Sequence, residues 1–176
     1  VRVVRRIRYR YDTLGWRGDA HFHLFVVGLN SGPPRQLTDG DWDDLAPVWS
    51  PDGSCIAFLS GRSDDRDTRD LAQVYAISVE GGEPVLWSRG LTNAGAVAWS
   101  PGGDKLAVIG TDDQEISDPR QAWLFVVEKA QAPKRMTDGE FTPLLPTTEV
   151  RWTEDGRILF LGDRRGVSYL CEVPGE

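Results

Sequence analysis

Trp49-Ser50-Pro51-Asp52-Gly53 returns as Trp99-Ser100-Pro101-Gly102-Gly103 and again as Trp152-Thr153-Glu154-Asp155-Gly156. The copies lie 50 and 53 residues apart. A fixed period of that size makes the chain an array of similar units, stacked or arranged radially. The phrase also has a mechanical reading. Pro at the second position and Gly at the fourth position of Ser-Pro-Asp-Gly suit a tight turn, and a β-run flanks it on each side. Each copy therefore reads as a hairpin.

The rest of the period aligns around it. An apolar run follows each turn: Cys55 to Leu59, Lys105 to Ile109 and Ile158 to Leu161. A polar loop then leads to a third strand at Gln73 to Val79, Gln121 to Val127 and Val167 to Val173. His21 to Val27 is an orphan copy ahead of the first full unit. Aligned on their aromatic residue, these strands put His23, Tyr75, Trp123 and Tyr169 at one repeat position. Turns with Gly, Pro or Ala lead to a short fourth strand at Arg35 to Thr38, Val85 to Trp87 and Lys134 to Thr137. β-Branched and aromatic enrichment supports strands throughout, and no window holds a helical period.

Four antiparallel strands every ~50 residues describe a blade of a β-propeller, an architecture of about 4–8 blades around a channel. With the strands lettered a to d, the expectation is an all-β, partial β-propeller. Residues 1–38 would end one blade, 39–90 and 91–140 would be full blades, and 141–176 an incomplete one. Residues 1–11 would add a further strand. The chain opens on Val1 and stops at Glu176, where a strand d is due, so it reads as a piece of a propeller.

Composition narrows the partners. A formal net charge of −7 argues against nucleic acid. The longest apolar run, about six residues, is too short to span a bilayer as a helix. Cys55 and Cys171 sit at unrelated phases of the repeat and form no metal or redox motif, so buried free thiols are expected.

A family resemblance rests on these residues. Leu37-Thr38-Asp39-Gly40, then Pro47-Val48-Trp49-Ser50-Pro51-Asp52-Gly53, then Ile56-Ala57-Phe58-Leu59-Ser60 resembles the propeller repeat of TolB-type proteins and of prolyl oligopeptidase-family serine peptidases. Arg6-Ile7-Arg8-Tyr9-Arg10-Tyr11-Asp12, Gly15-Trp16, His23 to Val27, and Ser60-Gly61-Arg62 with Asp64-Asp65-Arg66-Asp67 are similar to acylaminoacyl-peptidase-like and dipeptidyl-peptidase-like members. The resemblance implies a parent with an α/β-hydrolase domain carrying the catalytic Ser, Asp and His, and a propeller that covers its active site and admits small peptides. It implies a cytoplasmic location and no cofactor. The nucleophile elbow Gly-x-Ser-x-Gly is absent from this chain; Gly61-Arg62-Ser63-Asp64-Asp65 lacks its second glycine. No catalytic, cofactor or metal residue is therefore assigned. The alternative is a TolB-like or WD-repeat-like propeller acting as a protein-interaction scaffold.

Other constellations have plain readings. His21 and His23 share a strand face but lack a third ligand at metal spacing. Asp39, Asp41 and Asp43 begin like a calcium loop, but Asp44 and Ser50 stand where an EF-hand needs Gly and Glu, which leaves a solvated turn. Six arginines fall in the first 17 residues: Arg2, Arg5, Arg6, Arg8, Arg10 and Arg17. Arg6, Arg8 and Arg10 alternate with Ile7, Tyr9 and Tyr11, which reads as a half-buried strand with a charged outer face, its arginines open to acidic loops or a neighbouring domain. Trp49, Trp99 and Trp152 hold one position and should pack between blades. Trp16, Trp42 and Trp87 lie off that register, with Trp42 placed to meet a partner.

The loops sort by topology. The d–a and b–c connections share one face, with long charged loops at Gly61 to Ala72 and Thr111 to Arg120. Asp39, Asp41, Asp43 and Asp44, with Asp138, Glu140 and Glu149 further on, make that face acidic and mark it as the working surface. Open blade edges at both ends of the arc predict self-association, with the strand at 1–11 available to a partner's edge.

Overall fold

The computed structural model describes residues 3–4, 6–11, 15–69, 71–112, 121–143 and 149–176. Every regular element among them is a strand. A small hairpin, β1 (Arg10–Tyr11) with β2 (Gly15–Trp16), precedes a second one, β3 (Phe25–Gly28) with β4 (Ser31–Gln36). Two four-stranded antiparallel sheets follow, each laid down in chain order. The first holds β5 (Asp44–Trp49), β6 (Cys55–Ser60), β7 (Gln73–Ser78) and β8 (Val85–Leu86). The second holds β9 (Asn93–Trp99), β10 (Lys105–Thr111), β11 (Trp123–Glu128) and β12 (Lys134–Arg135). In the last sheet β13 (Thr142–Pro143) and β14 (Val150–Trp152) both pair with β15 (Arg157–Arg164), whose other edge takes β16 (Val167–Pro174). This is the meander of propeller blades. The last sheet has positions a, b and c, its strand a in two pieces.

The repeated phrase works as a staple between strands a and b. Gly53 N–H donates to the Ser50 carbonyl at 2.9 Å, Gly103 to Ser100 at 2.9 Å, and Gly156 to Thr153 at 3.1 Å. The hydroxyl accepts the first N–H of strand b: Cys55 to Ser50 at 2.9 Å, Lys105 to Ser100 at 3.0 Å, Arg157 to Thr153 at 2.9 Å. The closing glycine has φ of 70°, 73° and 82° in the three copies, a left-handed conformation that side chains resist. A second hydroxyl repeats at the outer edge. Leu24, Val74 and Leu124 donate their N–H to Thr38, Ser88 and Thr137 at 2.9, 2.8 and 3.2 Å, tying strand d to strand c.

Three apolar clusters fill the spaces between successive sheets. Leu24, Val26 and Leu37 meet Ile56, Phe58 and Ile77; Leu59, Val74 and Trp87 meet Val97, Trp99 and Phe125; Ile109, Leu124 and Met136 meet Val150, Ile158 and Phe160. The two inner sheets thus each use one face on the sheet before and the other on the sheet after.

Three expectations change. Pairing register makes Tyr75 equivalent to Phe125 and Cys171, because Phe58, Val108 and Phe160 oppose them; Trp123 and Tyr169 oppose Gly110 and Gly162 instead. Aligning on aromatics therefore slips one blade by two residues. Trp49 is 52% exposed while Trp99 is 8% exposed: Trp99 packs against Trp87 of the sheet before it, whereas among the described residues the sheet before Trp49 has two strands, β3 and β4. Finally, among the described residues of 1–11 only Arg10 and Tyr11 are in a strand, and the faces are inverted: Ile7 is 70% exposed, whereas Arg6 and Arg8 are half-buried.

Candidate functional site

The d–a loop, the b–c loop and the N-terminal segment converge at one end of the β5–β8 sheet. Asp44 opens β5, and its backbone N–H donates to the Phe22 carbonyl at 2.8 Å, which fixes the incoming segment. Its side chain is fully buried and receives Arg62 Nη2 at Oδ1 (2.8 Å), with His23 Nδ1 3.3 Å from Oδ2. Arg62 stands two residues past the end of β6. Its guanidinium lies 4.9 Å from the Trp42 ring, 4.9 Å from Tyr75 and 5.3 Å from Phe58. A buried cation is tolerable only when paired, and here one carboxylate and three ring faces receive it. Burial pushes the Tyr75 hydroxyl up, Arg62 opposes that rise, and Asp44 adds to it.

Further out, Asp41 accepts from Arg66 Nη2 at 2.5 Å and from Arg6, with His21 Nε2 3.0 Å away. Hydrogen bonding from Arg66 first, and then from Arg6, holds its carboxyl down at about 2. Arg6 also grips Asp67 in bidentate fashion, Nη2 to Oδ1 at 2.7 Å and Nε to Oδ2 at 3.0 Å, which lowers the Asp67 carboxyl and raises the Arg6 guanidinium. Asp43 receives Arg17 Nη1 at 2.7 Å and the Phe22 N–H at 2.8 Å. Burial works against its ionisation, but these donors win and its carboxyl lies below the ordinary value.

The expected acidic surface is therefore an ion-paired hub, and the calcium-like run is not a solvated turn. Arg6, Arg17, Arg62 and Arg66 bind Asp41, Asp43, Asp44 and Asp67. Beneath them lies a cavity of about 320 Å³ lined by Arg8, His21, Asp41, Trp42 and Leu71 among others. Among the described residues two buried nitrogens there, His21 Nδ1 and Trp42 Nε1, have no hydrogen-bond partner, although His21 Nδ1 lies 3.5 Å from Asp43 Oδ1. Trp42, expected to face a partner, instead lies beside Arg62 and Arg66. The arrangement can orient polar groups and fix loops, and it presents no nucleophile beside a base.

His21 and His23 sit with ring centroids 6.4 Å apart, each turned to an aspartate. Among the described residues no group of three His, Cys, Asp or Glu side chains is placed to hold a metal. Cys55 and Cys171 are free and half-buried, and burial raises the Cys171 thiol. The expected loop Thr111 to Arg120 falls largely outside the described residues, as do Arg2 and Arg5. Two residues are visible in the sequence without the role the structure gives them. Trp87 is 8% exposed and meets Trp99 edge-on at 4.9 Å. Its signal was the following Ser88, which places it with Leu37 and Met136. Arg62 entered only through a resemblance; no local pattern announces a cation caged by aromatics from three elements.

The blades and their staples define the class: an all-β partial β-propeller. No protein-family model matches the chain. It is 32% identical over 104 residues to the uncharacterized peptidase YuxL of Bacillus subtilis, a match covering 56% of this chain and 14% of that protein. In structure it is similar to TolB from Acinetobacter baumannii, with TM-score 0.63 and 20% identity over 85% of this chain and 34% of that one. It is also similar to a puromycin-hydrolyzing peptidase of Mycobacterium tuberculosis, with TM-score 0.59 and 21% identity over 79% of this chain and 22% of that one. The chain thus spans about a third or less of each of these three relatives.

Proposed function

We propose that the chain is a non-catalytic propeller segment of an acylaminoacyl-peptidase-like serine peptidase. In that role it covers an α/β-hydrolase active site supplied by other residues and limits access to small peptides. One observation carries the reading: 104 residues of the repeat array align with a peptidase of which they make up only 14%. The ion-paired hub supports it, since a gating surface must hold its long loops in place, and buried charge pairs fix geometry. The blade divisions at 38, 90 and 140 and a cytoplasmic location belong to the same proposal. A TolB-like interaction scaffold is the second reading, favoured by the likeness to TolB.

The test is made on the native protein. A fluorophosphonate probe applied to extract of the source organism should label a polypeptide whose tryptic map contains peptides of this chain, and a small acylated dipeptide should compete. If the polypeptide containing these peptides is purified, folded and unlabelled, the peptidase reading fails and the scaffold stands.

A further inference from the structure

We draw no further inference here: the strongest candidate, the cavity of about 320 Å³ lined by the d–a loop, the b–c loop and the N-terminal segment at one end of the β5–β8 sheet, belongs to the ion-paired hub already described, whose arginines and aspartates meet one another, so that nothing in the structure shows what an occupant would be.

Discussion

Leu124 and Leu170 hold the same place in two consecutive blades, yet one is fully buried and the other is 71% exposed. The hydrogen-bond register around them is the same. What differs is the neighbour. Among the described residues the β9–β12 sheet lies between two others, whereas the sheet of β13 to β16 meets one on its β9–β12 side alone. Side chains follow that division. On the face turned to the next blade, the two inner sheets present Val48 and Ala98, Ala57 and Ala107, Leu59 and Ile109, Val74 and Leu124, Ala76 and Val126. The last sheet presents Arg151, Leu159, Leu161, Leu170 and Glu172 at the same positions. Two charges have entered an otherwise apolar face. The repeat prescribes where a side chain points, and the neighbouring blade decides whether it is core.

The tryptophans give the sharpest way to break that comparison. Trp99 packs against Trp87 and donates its Nε1–H to the Val48 carbonyl at 3.1 Å. Trp99→Ala removes a large buried ring and should cost about 3–5 kcal/mol. Trp49, at the same repeat position but half exposed, should lose less than about 1 kcal/mol on the same change. Urea titrations of both variants measure this. Equal losses would show that Trp49 is covered in solution, and the blade-by-blade account of burial would then be wrong.

The charged hub offers a second contrast, between its floor and its rim. Asp44 has no exposed side-chain surface and faces Arg62, whereas Asp41 is half exposed. Asp44→Ala leaves a caged guanidinium without its counter-charge and should destabilise by about 3 kcal/mol. Asp41→Ala should cost less than about 1 kcal/mol, since solvent screens its pairs. Thermal melts at low and high salt separate the two, because only the rim should respond to ionic strength.

Acid should dismantle the rim first. The Asp41 carboxyl is depressed from 3.8 to about 2, and those of Asp43 and Asp67 are depressed as well. A depressed carboxylate stabilises the fold above its unfolded value and loses that contribution as pH falls through its folded value. The rim pairs should therefore be intact above pH 4 and loosen from there toward pH 2. Trp42 lies beside Arg66 and Arg62 and reports on them by fluorescence. A transition in that window, diminished in Asp41→Asn, is the expected outcome. A flat signal down to pH 2 contradicts it.

The hairpin phrase was legible in the sequence because it acts locally: a turn, a left-handed glycine and a hydroxyl staple all lie within six residues. The blade order followed from the period. The hub was legible only in outline, as arginines open to acidic loops or to a neighbouring domain, because its members come from residues 6 to 67 and meet only once the sheet has placed three loops together. Its acids and its arginines were both visible, but local sequence shows charge and not pairing. The inverted N-terminal face has the same origin: alternation showed that Arg6 and Arg8 share a side with each other, and only the position of Asp41 and Asp67 made that side the inner one. The slip at Tyr75 arose because aromatic identity drifted by two residues while the ladder to β6 stayed in place.

The smallest effect concerns the last sheet's open face. Arg151 pairs with Glu149, both about three-quarters exposed, with Nη2 2.7 Å from Oε2. Exposed pairs contribute little, because solvent screens the attraction and two long side chains must be ordered. Arg151→Ala should therefore change stability by less than about 0.5 kcal/mol, whereas Ala98→Arg, placing the same side chain at the equivalent position of the enclosed sheet, should cost several times more by burying a charge among Val150, Ile158 and their neighbours. Denaturant titration of the pair measures both. An unchanged midpoint for Ala98→Arg would mean that the junction between the last two sheets admits water, and the contrast between an enclosed and an open face would then dissolve.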